Sequence, residues 1–111
     1  MSKYHAKKTT VDGITFDSKA EARRYMELRM LEKAGKIGGL TLQPQFLLQE
    51  GFTDSAGKRQ RKIEYVADFE YIEDGRVVVE DVKGKQTEVY RIKKKLFLKR
   101  YPSLDFREVK A

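Results

Sequence analysis

Two runs of alternating side chains, Lys62 to Glu73 and Arg76 to Lys83, meet at Asp74-Gly75, and no other feature restricts the fold of this chain so strongly. Asp-Gly between alternating apolar positions closes a tight turn whose twist matches that of the strands it joins. A two-residue loop also fixes the register: Glu73 faces Arg76, Ile72 faces Val77, Glu70 faces Val79, and Asp68 faces Asp81. Side chains directly opposed on one face have Cβ atoms about 5 Å apart, so two aspartates placed there repel unless something positive lies between them. The side-chain period of two brings Lys83 onto the face of Asp81 and turns Glu80 to the other. A slip of one residue would part the two aspartates.

Opposed carboxylates beside an ammonium suit metal-assisted phosphodiester hydrolysis. The carboxylates hold a hard cation, and the lysine orients water or stabilises charge growing on the phosphate. The plainer account is a solvated sheet face with an ordinary Lys83–Asp81 salt bridge. That account wins for any single acidic residue; three groups in one register, beside many cations, favour the site. Cysteine is absent and His5 is the one histidine, which excludes disulfides, a thiolate zinc site and a multi-histidine site within one chain. A metal here must be bound by oxygen, and Mg²⁺, with Mn²⁺ as substitute, is the expected ion.

The charge is +7, from 24 basic and 17 acidic residues, and its distribution says more than its sum. Lys58, Arg59, Arg61 and Lys62 form one basic cluster; Arg91, Lys93, Lys94, Lys95, Lys99 and Arg100 form another. The acidic stretch from Glu64 to Asp81 lies between them. Basic clusters favour a polyanion partner through counterion release, whereas a pure binder gains nothing from carboxylates facing phosphate. Lys58, Arg59, Arg61, Lys62, Tyr90, Arg91, Lys94 and Lys95 are therefore the expected nucleic-acid contacts, made to the backbone rather than to bases. No apolar run approaches the roughly 20 residues that cross a bilayer, and the N-terminus lacks a signal-peptide core, so a cytoplasmic protein is expected.

With 111 residues the chain suits one domain. Residues 1–12 read as loose, followed by a short turn and strand over Val11 to Phe16. Ser18-Lys19-Ala20-Glu21 fits a capping box opening a helix with an apolar face of Ala22, Tyr25, Met26, Leu28, Met30 and Leu31, which ends near Gly35. Gly38-Gly39 reads as a second break. Thr41 to Glu50 reads as a strand that Pro44 confines to an edge or bulge, and 51–60 as a polar loop. A second helix is expected from about Gln86 to Arg100, buried through Val89, Ile92, Leu96 and Phe97, then a short strand over Leu104 to Val109. The order predicts an α+β domain, a mixed sheet flanked by helices.

Asp68, followed across the hairpin by Asp81-Val82-Lys83, resembles the PD-(D/E)XK nuclease motif. Tyr65-Val66-Ala67-Asp68-Phe69 and Val79-Glu80-Asp81-Val82-Lys83-Gly84 resemble a small phage-type branch related to Holliday junction resolvases and phage endonuclease I. Ser18 to Ala22 and Gln43-Pro44-Gln45-Phe46 extend the resemblance, which spans roughly residues 4–101; Ala67 stands where the literal motif has proline. The resemblance implies a restriction-endonuclease-like core and an Mg²⁺-dependent endonuclease acting on DNA, with branched DNA as a preferred substrate. A phage-encoded protein would then act in the host cytoplasm. By the same resemblance Asp68, Asp81 and the Val82 carbonyl are metal ligands, Lys83 is the catalytic lysine, and Glu21 matches a first-helix acid that completes the site. Glu21 has a competing role as the third residue of its capping box, and both stay open. Gln43 and Gln45 are candidates for the surroundings of the site, with one of them expected to touch it. Symmetric cutting of a junction implies a homodimer. The alternatives are a nicking or end-processing nuclease, a non-catalytic nucleic-acid-binding domain, or a subunit that needs a partner.

Overall fold

A computed structural model describes residues 7–111. In chain order it contains β1 (Thr9–Val11), β2 (Ile14–Phe16), α1 (Lys19–Lys33), β3 (Gly38–Leu42), β4 (Gln45–Gln49) and β5 (Phe52–Thr53). There follow β6 (Arg59–Gln60), β7 (Ile63–Val66), β8 (Phe69–Glu73), β9 (Arg76–Lys83), α2 (Glu88–Arg100) and β10 (Asp105–Lys110). Asp74 and Gly75 take φ of 51° and 76°, the left-handed pair that a tight hairpin needs, and β8 pairs with β9 from Glu73–Arg76 through Phe69–Glu80. The central sheet runs β10-β9-β8-β3, with β10 parallel to β9 and the other neighbours antiparallel, so the fold is α+β with a mixed sheet.

Strand β9 sits inside this sheet and is covered on both faces, which is why its centre reads Val-Val-Val rather than alternating with polar residues. Val78 and Val82 meet Ala22, Tyr25 and Leu28 of α1, together with Phe69 and Tyr71 of β8. Val79, on the other face, meets Tyr90 and Phe97 of α2 with Phe46, Leu48 and Tyr65. Two aromatic-rich cores thus lie back to back, and β9 carries residues into each.

Each of the two long strands expected over Thr41 to Glu50 and Lys62 to Glu73 is broken in the middle. Pro44 has no N–H for a ladder, and Gln43 before it takes a φ of 50°. The break is shared. The Gln43 N–H donates to the Asp68 carbonyl at 2.9 Å, and the Ala67 N–H donates to the Pro44 carbonyl at 3.1 Å. Beyond it, β4 and β7 leave the central sheet as a separate antiparallel ribbon whose inner side chains close over α2.

Several other expectations need correction. Thr9 to Asp12 is ordered: β1 and β2 form a hairpin around Asp12-Gly13, a second Asp-Gly turn, and the Tyr25 hydroxyl donates to Asp12 Oδ2 at 3.1 Å. His5 lies outside the described residues. Gly38-Gly39 belongs to β3 at a register irregularity rather than ending a segment. The polar loop after Gly51 is a hairpin of β5 and β6, closed by Asp54, whose Oδ1 accepts from the N–H groups of Ala56 and Lys58. On α1, Met26 and Met30 face solvent. On α2 the expected face is largely reversed: Val89, Ile92 and Leu96 are exposed, and Tyr90 and Phe97 are the buried residues. Among the described residues no helix is long and apolar enough to cross a membrane.

Candidate active site

Strand β8 ends where the site begins. Its regular ladder with β9 stops at Phe69–Glu80, and the next bond, from the Asp68 N–H to the Glu80 carbonyl at 3.1 Å, is already out of step. The Asp68 carboxylate reaches instead across the end of the ladder, where Oδ2 accepts the Val82 N–H at 2.7 Å. The N–H and C=O of one strand residue leave the strand on the same side, so the Val82 carbonyl is directed toward that same gap. Asp81 belongs to the α2 face of β9, is 2% exposed, and accepts a hydrogen bond on Oδ2 from the buried Tyr65 hydroxyl. Its Oδ1 makes no hydrogen bond of good geometry and has the Lys83 ammonium at 3.1 Å. Lys83 in turn lies over the Tyr90 ring, 4.3 Å from its centre.

Electrostatics set the character of this pair. Burial raises the Asp68 carboxyl from an ordinary 3.8 to about 7; the Asp81 charge adds to the rise and the Val82 N–H opposes it. Glu21 is raised as well, by burial and then by the charges of Asp17 and Asp81, with Lys83 and the Asp17 amide acting the other way. Burial pushes the Tyr65 hydroxyl up, as does its bond to Asp81, so it stays a donor throughout the physiological range. Asp68 and Glu21 therefore sit in a field that favours protonation, the situation a bound cation would relieve.

Glu21 comes from the first turn of α1. The Ser18 hydroxyl accepts the Glu21 N–H at 3.1 Å, so this half of the capping box is formed, while the carboxylate lines a cleft of about 140 Å³ with Gln43 and Asp68. Gln43 is thus beside the site; Gln45 is exposed on β4. Asp81 and Lys83 do not line the cleft. Among the described residues no three acidic or histidine side chains gather closely enough to enclose an ion as they stand. The donor set nevertheless fits a hard cation: a buried carboxylate oxygen paired with an ammonium but not hydrogen-bonded, a second aspartate and a backbone carbonyl are the oxygen ligands Mg²⁺ takes, and Mg²⁺ normally keeps several waters beyond one or two carboxylates.

The proposed nucleic-acid contacts divide. Lys58, Arg59 and Arg61 are exposed on the β5–β6 hairpin and just after it, and Lys62 is 3.6 Å from Glu64. Arg91 and Lys95 are exposed on α2. Lys94 is half-buried and paired with Glu108 at 2.9 Å. Tyr90 is the clear correction: it is buried, bonded through its hydroxyl to Glu108, and acts as the platform under Lys83 rather than as a surface residue.

Two residues beside the site escaped the sequence. Tyr65 reaches Asp81 because the strand breaks at Ala67-Asp68, a change of direction with no local signal. Arg24 binds Glu80 through Nε at 2.8 Å and Nη2 at 2.6 Å. The period of β9 turns Glu80 away from Asp81, and a carboxylate on a covered face needs a cation from whatever covers it. That reasoning points to α1, though not to the residue. No curated protein matches the chain significantly. Over residues 1–111 it matches the sequence profile of the family described as "Protein of unknown function (DUF1064)", and it belongs to that family.

Proposed function

We propose that the chain is a divalent-metal-dependent endonuclease that hydrolyses phosphodiester bonds in DNA, with Asp68, Asp81 and Lys83 at its centre. The observation that carries this reading is the Asp81 carboxylate. It is buried, has the half-buried Asp68 carboxylate near enough for its charge to raise that group's pKa, and has the Lys83 ammonium, not a hydrogen-bond donor of the surrounding fold, on one oxygen.

Asp68, Asp81 and the Val82 carbonyl would hold the cation, and Glu21 would approach from across the cleft. The bound ion supplies Lewis acidity toward the phosphate and its attacking water. Tyr65 fixes the rotamer of Asp81 through Oδ2, and Oδ1, paired with the Lys83 ammonium, would be the oxygen to ligate. Lys83, held between Asp81 and the Tyr90 ring, presents its ammonium where negative charge grows on the phosphoryl oxygens. The exposed cations of the β5–β6 hairpin and of α2 supply backbone contacts on either side. The resemblance to junction-resolving nucleases favours branched DNA, and symmetric cutting would call for two copies of the chain.

A second reading, a nucleic-acid-binding domain without catalysis, draws on the absence of three gathered acids among the described residues. Metal dependence separates the two. End-labelled four-way junctions, flaps and linear duplexes would be incubated with Mg²⁺, Mn²⁺ or EDTA, using wild type and Asp81→Ala. The nuclease reading expects cleavage with either metal, none with EDTA, and a loss of at least about 10³-fold in the variant. Binding of every substrate with no cutting would overturn it in favour of the binding domain.

A further inference from the structure

Arg24 follows Glu21 by three residues in α1, so the two side chains share one face of the helix, one turn apart. Glu21 ends in the cleft, and Arg24 ends on Glu80. Glu80 is wholly buried and immediately precedes Asp81, with alternation sending one toward α1 and the other to the opposite face of β9. Both Glu80 oxygens are used: Oε1 accepts from Arg24 Nε, and Oε2 accepts from Arg24 Nη2 and from the Tyr71 hydroxyl. Two parallel bonds between planar groups fix direction as well as distance, so this contact sets both the rotation of α1 and its position along β9.

Stability alone is a poor reason for such a pair, because an apolar pair of the same volume commonly stabilises a fold as well or better. Its placement supplies a different reason. We propose that Arg24 and Glu80 are positioning residues, whose ion pair holds the first turn of α1 against β9 so that the Glu21 carboxylate shares the cleft with Asp68 and, with it and Asp81, completes the ligand set for a divalent cation. This rests on reading those aspartates as a cation site.

The test measures Mn²⁺ binding to the whole chain by titration calorimetry, with thermal melting as a check on folding. Replacing the pair by Arg24→Met with Glu80→Met should leave a cooperative fold and weaken Mn²⁺ binding about 10-fold, the low end of what supporting residues contribute to metal sites. Glu21→Gln should weaken it by a similar factor. Combining all three substitutions should be no worse than Glu21→Gln alone, because the pair acts only through that carboxylate. An equal further loss on top of Glu21→Gln, or no loss in the otherwise wild-type chain, overturns the proposal. Should the double replacement fail to fold, Arg24→Lys, which keeps the charge and loses the fork, takes its place with the same expected dependence on Glu21. If wild type takes up no Mn²⁺, the cation site itself fails and the positioning role with it. If wild type and Glu21→Gln bind equally well, the site stands and only the role of the pair is lost.

Discussion

Asp68 shows at the scale of one residue what a half-buried carboxylate, here a proposed metal ligand, costs the fold. Its carboxyl is raised to about 7 because burial and the Asp81 charge disfavour the ionised form. In the unfolded chain the same group ionises near 3.8. The folded state therefore holds the extra proton between these values, and the contribution to stability is full below about 4 and lost as pH rises through about 7. Without metal, Asp68→Asn should accordingly gain melting temperature over wild type above pH 7 and show no gain near pH 4. The Asn side-chain oxygen can still accept the Val82 N–H. Saturating Mg²⁺ should reverse the order at neutral pH, stabilising wild type and leaving the variant unchanged. Melting curves across pH in EDTA and in Mg²⁺ check both halves, and a wild-type curve without pH dependence in this range would contradict the first.

Among the elements, α2 is the instructive one. Its sequence carries two stripes: Val89, Ile92 and Leu96, and Tyr90, Phe97 and Tyr101. The aromatic stripe wins because each ring buries more surface and each hydroxyl finds a partner: Tyr90 bonds Glu108, and Tyr101 donates to the Leu47 carbonyl at 2.8 Å. Lys94 shares this inner side by extending its ammonium to Glu108 beside the Phe106 ring. Phe97→Ala should therefore cost about 3–5 kcal/mol, whereas Ile92→Lys should stay within about 0.5 kcal/mol, as denaturant unfolding would measure. This helix marks how far the sequence could be read. The β8–β9 hairpin and its register as far as Phe69–Glu80 were legible because Asp-Gly chemistry and alternation are local, whereas the expected Asp68–Asp81 pairing is lost where the ladder ends. So was the start of α1, where Ser18 caps. The shared break at Gln43-Pro44 and Ala67-Asp68, and the choice of stripe on α2, depend on what packs from elsewhere and left no periodic mark.

The described residues measure 53 × 40 × 23 Å, with a radius of gyration of 16.0 Å. A compact domain of about this length would have roughly 13 Å. The excess fits an architecture in which the β4–β7 ribbon departs from the sheet and is prolonged by the β5–β6 hairpin. Lys58, Arg59 and Arg61 are exposed there, while the nearby Asp54 spends both oxygens on the turn. If this hairpin contacts DNA, replacing the three cations by alanine should lower affinity for all sequences alike. It should also reduce the slope of log K against log salt by about one for each phosphate that is no longer neutralised, with the melting temperature unchanged. Fluorescence anisotropy between low and moderate salt reads both. An unaltered slope would assign the DNA contact to α2 instead.

The turn at Asp74-Gly75 also bears on the order of folding. Within the central sheet, β8–β9 is the one pairing closed by a short loop; β3 and β10 must each return from far along the chain. Loop closure favours the hairpin as an early structure, formed while both aspartates are still hydrated and their repulsion is screened. The penalty of confronting them arises later, when α2 and the β4–β7 ribbon dock and expel water. If that docking completes after the rate-limiting barrier to folding, a divalent ion would lengthen the lifetime of the native state and leave the rate of its formation nearly untouched.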